Sequence, residues 1–70
     1  MNIIYSNHAE KQIKERTLLK IWVEETIKFP HFVKREGFKF YAIRKLDSMT
    51  LKVVYTKETY IKVITSYFVQ

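Results

Sequence analysis

Residues 38–69, FKFYAIRKLDSMTLKVVYTKETYIKVITSYFV, carry the strongest pattern in the chain. Val, Ile, Thr, Tyr and Phe dominate Phe38–Leu46, Thr50–Thr56 and Tyr60–Val69, and these residues suit a pleated, half-buried surface. Asp47-Ser48-Met49 and Lys57-Glu58-Thr59 separate the three runs. Breaks this short predict antiparallel hairpin partners and a meander. In the second run, alternation sets Leu51, Val53 and Tyr55 against Lys52, Val54 and Thr56. In the third, Ile61, Val63, Thr65 and Tyr67 oppose Tyr60, Lys62, Ile64, Ser66 and Phe68, so neither face is purely polar and the strand is expected inside the sheet.

The first half has helical spacing. Ile3-Ile4-Tyr5, within Met1–Tyr5, predicts a short first strand. Asn7 followed by Glu10 fits a capping pattern, and His8–Arg16 is rich in helix formers with Ala9 and Ile13 on one stripe. Thr17 is expected to cap a second helix over Leu18–Phe29, in which Leu19, Val23 and Ile27 recur every four residues. Glu24 and Lys28 are spaced to pair, and Pro30 ends the helix. Gly37, the one glycine, predicts a turn or bulge, so Phe32–Lys34 either pairs with Phe38–Ala42 or extends the second strand. The expected architecture is α+β: one two-layer domain over residues 1–70, β-α-α-β-β-β, with two helices on one face of a mostly antiparallel sheet.

Composition narrows this. With 47% apolar and 16% aromatic residues, 70 residues can form a core without the disulfides that zero cysteines exclude. No run reaches the roughly 18 apolar residues of a membrane span. MNIIYSNHAEK has no basic segment before an apolar run, so a cytoplasmic protein without a membrane partner is expected.

The net charge is +6, and it is uneven. Residues 1–33 hold five Lys/Arg against four Glu; residues 34–70 hold eight against three acids. A basic sheet half points to a polyanion, whereas lysines on strand edges can simply block aggregation. No Gly-rich phosphate loop, Cys nucleophile, His-x-x-x-His or paired carboxylates stand out, and neither metal nor cofactor is expected. One chemistry suits a basic, aromatic surface: attack of an RNA 2′-hydroxyl on the adjacent phosphate, helped by a base, an acid and cations.

An ordered set of motifs resembles a known family. HAEKQIKER (8–16), Val23-x-x-x-Ile27-x-x-Pro30, Phe40-Tyr41, LKVVY (51–55) and Val63-Ile64-Thr65-x-Tyr67 resemble a small domain-of-unknown-function family. That family is similar to the BrnT toxins and, more distantly, to the RelE/ParE toxin superfamily. His8, Arg16, Thr65 and Tyr67 match its pattern, and Arg44 stands where such families often carry a basic residue. The family often has Gly after the helix-one Arg, where this chain has Thr17. The resemblance implies a RelE-like fold and a metal-independent endoribonuclease toxin of a toxin–antitoxin pair. Its expected catalytic set is His8, Arg16, Arg44 and Tyr67, with Lys39, Lys45, Lys52 and Lys62 binding RNA. RNA, including ribosome-bound mRNA, and a cognate antitoxin are the implied partners, and a homodimer is compatible with them. A non-catalytic RNA- or protein-binding module and a ParE-like gyrase inhibitor are the alternatives.

Overall fold

The computed structural model describes residues 2–69; Met1 of the expected first strand lies outside them. Five strands and two helices follow in the order β1 (Ile3–Tyr5), α1 (Asn7–Glu15), α2 (Lys20–Lys28), β2 (Phe32–Glu36), β3 (Lys39–Leu46), β4 (Met49–Lys57) and β5 (Ile61–Val69). The fold is α+β, with the helices packed on a mostly antiparallel sheet ordered β1-β5-β4-β3-β2. Only β1 runs parallel to its neighbour, β5. The sheet has one strand more than β-α-α-β-β-β. Phe32–Glu36 forms β2 and pairs with β3 from Phe32↔Ile43 to Glu36↔Lys39. The Gly37–Phe38 turn makes this possible: Gly37 has φ 62, at the first turn position that a type II′ hairpin reserves for Gly.

Helix α1 begins at Asn7, and its cap lies one residue before the expected one. Ser6 is its N-cap; its hydroxyl accepts from the Ala9 amide at 3.0 Å and donates to the Ile64 carbonyl at 3.0 Å, fastening the helix start to β5. The far end departs more from expectation. Thr17 does not cap α2; it takes a left-handed backbone, φ 55. The Leu18 amide reaches back to the Ile13 carbonyl at 3.0 Å, the long-range bond of a Schellman ending. Leu18 thereby drops into the core beside Ile13, while Leu19, expected on the buried stripe, is half exposed as the N-cap of α2. Glu24 pairs with Tyr5 and not with Lys28: the Tyr5 hydroxyl donates to it at 3.0 Å.

Helix α1 lies over β5 and β1, and α2 over β4 and β3. Between layers, Ala9, Ile13, Leu18, Val23 and Ile27 pack on Ala42, Leu51, Val53, Tyr55, Ile61 and Val63. Trp22 is half buried and meets Phe68 edge-on at 6.2 Å. The alternation expected for β4 holds. That of β5 is interrupted by a bulge opposite Val54/Tyr55, where the register passes from Val54↔Thr65 to Tyr55↔Val63. The extra residue, Ile64, shifts the side chains beyond it. Ser66 and Phe68 therefore join Ile61 and Val63 toward the helices, and Tyr67 turns to the opposite face. Gln12 closes the bulge: its side-chain oxygen accepts from the Ser66 amide at 3.2 Å and from the Thr65 hydroxyl.

Candidate functional site

The helices cover one side of the sheet and leave the other open. Cross-strand partners share a face, so the register fixes the contents of the open side. One row reads Lys34, Tyr41, Val54, Thr65; the next Phe32, Ile43, Lys52, Tyr67; a third Lys45, Thr50, Val69; and a fourth Glu36, Lys39, Thr56, Lys62, Ile4. Five lysines thus stand on one face against one acid, Glu36, which pairs with Lys34 at 3.1 Å. The other four, Lys39, Lys45, Lys52 and Lys62, are the lysines expected to bind RNA, and the sheet brings them onto this single surface. All four belong to the interior strands β3, β4 and β5. Blocking of exposed strand edges therefore does not explain them.

At the centre, the half-buried Lys52 lies between two tyrosines. Its Nζ is 5.3 Å from the Tyr41 ring centroid and 6.0 Å from that of Tyr67. A cation between two rings is held by the electron-rich faces of both. The ammonium can meet a phosphate, and the phenol rings offer faces on which unpaired bases can stack.

The expected catalytic set is spread over the molecule. His8 is exposed in the first turn of α1, and Arg16 is the exposed C-cap of the same helix, roughly 12 Å of helical rise away. Arg44 is on the helix side of β3, where its Nη1 donates to the Phe29 carbonyl at 2.6 Å and its Nε is buried without a partner. It thus satisfies a carbonyl at the end of α2. Of the four, only Tyr67 is on the open face, so no common cleft joins them. Thr65, which matches the family pattern, is engaged by Gln12 at the bulge. His31 has a structural bond too: its Nδ1 accepts from the Lys45 amide at 2.9 Å.

Lys34 and Tyr41 complete the face, and the expected RNA-binding set lacked them. Lys34 shows itself only once β2 is known to pair with β3 in register with Tyr41. Among the described residues no group of three His, Cys, Asp or Glu side chains is placed to hold a metal, and no helix is long and apolar enough to cross a membrane.

Two tyrosines have raised pKa values, neither on the open face. Burial pushes Tyr5 upward, and its hydrogen bond to Glu24 pushes it further. Burial alone raises Tyr55. Lys20 sits 4.7 Å over the Tyr5 ring and 2.9 Å from Glu10, so this polar group ties β1, α1 and α2 together.

The chain matches no family model, no curated protein and no solved structure. The likeness to BrnT and RelE-like toxins rests on the motifs that suggested it.

Proposed function

We propose that this protein binds single-stranded RNA in the cytoplasm across the uncovered sheet face. The observation that carries the reading is the convergence of Lys34, Lys39, Lys45, Lys52 and Lys62 with Tyr41 and Tyr67 on that face. Single strands are favoured over duplex because the stacking surfaces are flat tyrosine rings, which need bases free of a partner. Lys52 contributes to both states. Leaving the ring faces costs about 0.5–1 kcal/mol of cation–π attraction at an exposed site. Each base stacked in its place returns roughly 1–3 kcal/mol, and the ammonium gains a phosphate, so the exchange favours the bound form.

Fluorescence anisotropy with a labelled single-stranded RNA tests this. If the four lysines lacking an acid partner each neutralise a phosphate, log K should fall against log salt with a slope near −3. Lys52→Ala should lower the slope by about 0.7, and Tyr41→Ala should weaken binding with the slope kept. A slope near zero, or equal affinity for Lys52→Ala, would sink the reading.

One observation favours a second reading, that of an RNA-cleaving toxin: an amine and two phenols meet at Lys52, Tyr41 and Tyr67. Such a cluster can supply an acid for the leaving oxygen and charge for the phosphate without His8 or Arg44, with water taking the 2′-hydroxyl proton. The reading implies growth arrest on expression without an antitoxin. It also implies RNA fragments ending in 2′,3′-cyclic phosphate, absent with Lys52→Ala. Binding without cleavage would leave the binding module alone standing.

A further inference from the structure

A second feature lies at one end of the sheet, beside the Gly37–Phe38 and Glu58–Tyr60 turns. A cavity of about 530 Å³ is lined there by Arg35, Phe38, Phe40, Thr56, Lys57 and Glu58. Its planar groups are already stacked in series. Phe40 lies nearly parallel to Tyr55 at 5.2 Å, and the Arg35 guanidinium stands 5.3 Å over the Phe40 ring. These three residues are register partners on β2, β3 and β4, so the sheet itself holds the stack. Arg35 is also fixed by its Nε, which donates to the Gly37 carbonyl at 3.1 Å; its two terminal nitrogens make no hydrogen bond among the described residues.

Phe38 is 87% exposed, the most exposed large apolar side chain described. A phenylalanine in open water beside a fixed guanidinium and Lys57 is an unfilled aromatic and cationic site. We propose that this cavity binds a nucleoside monophosphate. The base stacks against Phe38, and the phosphate meets Arg35 and Lys57. Arg can grip a phosphate with two parallel bonds, and Lys adds a point charge. The site joins the lysine face at Thr56, which lines the cavity and stands between Lys39 and Lys62 in the open-face register. The nucleotide can therefore come free or as the phosphorylated end of a strand lying on the lysines. Only the second source rests on the reading given under Proposed function.

Amide chemical-shift mapping with isotope-labelled protein tests the cavity without any polymer. With 5′-AMP, saturable shifts should concentrate at residues 35–40 and 56–58, and AMP should bind more tightly than adenosine or inorganic phosphate. Phe38→Ala and Arg35→Gln should each weaken AMP roughly fivefold or more, while Lys28→Ala on α2 should not. Unchanged signals of the buried Val23 and Leu51 in both variants show that the fold is intact. Shifts that are absent into the millimolar range, that spread over the open face, or that are unaffected by Phe38→Ala would overturn the proposal. A 5′-phosphorylated oligonucleotide that displaces AMP identifies the strand end as the source; failure to displace it identifies the free nucleotide. If AMP binds here while no RNA binds the lysine face, the cavity stands and the single-strand reading falls.

Discussion

Replacing Thr17 with glycine should make this protein more stable. Thr17 sits at the left-handed position that ends α1, with φ 55. An L residue there costs roughly 1–2 kcal/mol because Cβ crowds the backbone, and a β-branched side chain is among the poorest choices. Thr17 is exposed and makes no side-chain hydrogen bond among the described residues, so glycine removes no contact. Against the gain stands the greater freedom of glycine in the unfolded chain, roughly 0.5–1 kcal/mol. The net stabilisation is about 0.5–1 kcal/mol. For a domain of this size that raises the melting temperature by roughly 2–8 °C. A thermal melt followed by circular dichroism measures it, with Thr17→Asn and Thr17→Ala beside it. Asparagine tolerates this backbone better than threonine, so the order expected is Gly above Asn, with Ala nearer the parent. If Thr17→Gly melts at or below the parent, or if Ala surpasses Gly, the Schellman ending is not where strain resides. RNA affinity should not change, because Thr17 stands on the helix side, away from the lysine face.

Three further expectations follow from single contacts. Gln12→Ala leaves the Ser66 amide and the Thr65 hydroxyl without their acceptor and should cost about 1–2 kcal/mol in a urea melt, whereas Gln12→Glu keeps an acceptor and should cost less; equal stabilities would mean that the bulge does not need the side chain. Arg44→Met should lose about 1 kcal/mol by freeing the Phe29 carbonyl, with RNA affinity and any cleavage unchanged; a large loss of activity in a fully stable variant would return Arg44 to the chemistry. Tyr5 is raised by burial and by Glu24, so its contribution is present at and below pH 9 and is lost as pH rises through 10, where the unfolded phenol ionises first. The stability of the parent relative to Tyr5→Phe should therefore be flat at neutral pH and fall above about pH 10; a difference that grows with pH would refute the assignment.

Much of the fold was legible from local pattern. Period-two alternation over 38–69 and four-residue spacing at Val23 and Ile27 located the meander and α2, because burying one face of an element imposes its period on the sequence. Gly37 marked the turn at which β2 and β3 meet but left open whether Phe32–Lys34 formed a strand of its own. The α1 ending is less legible. Thr17 is a good cap by residue type, yet the capping bond it would make lost to Leu18, whose burial beside Ile13 is gained only if Thr17 turns left-handed. The expected catalytic set relied on matched positions, and a position in a motif does not say which side of a sheet it faces. Arg44 and Lys52 are both basic strand residues, one beneath α2 and one on the open face.

The sequence by itself determined the element types, the layer that must be apolar and the excess of positive charge in the second half. Those depend on residue periods and counts, which neighbours in space cannot alter. Only the tertiary structure decided that this charge forms one surface. Its decisive step is the β5 bulge, which inserts Ile64 and reverses the facing of everything after it. Without it, strict alternation would set Tyr67 with Ile61 and Val63 toward the helices, and Lys62 with Ser66 and Phe68 on the other side. With it, Lys62 and Tyr67 share the open face, and Ser66 and Phe68 go inward. No glycine in β5 announces the bulge. It is held from a distance by Gln12, 53 residues from Thr65 along the chain, and by Ser6 at the Ile64 carbonyl, contacts that exist only once α1 has packed on the sheet.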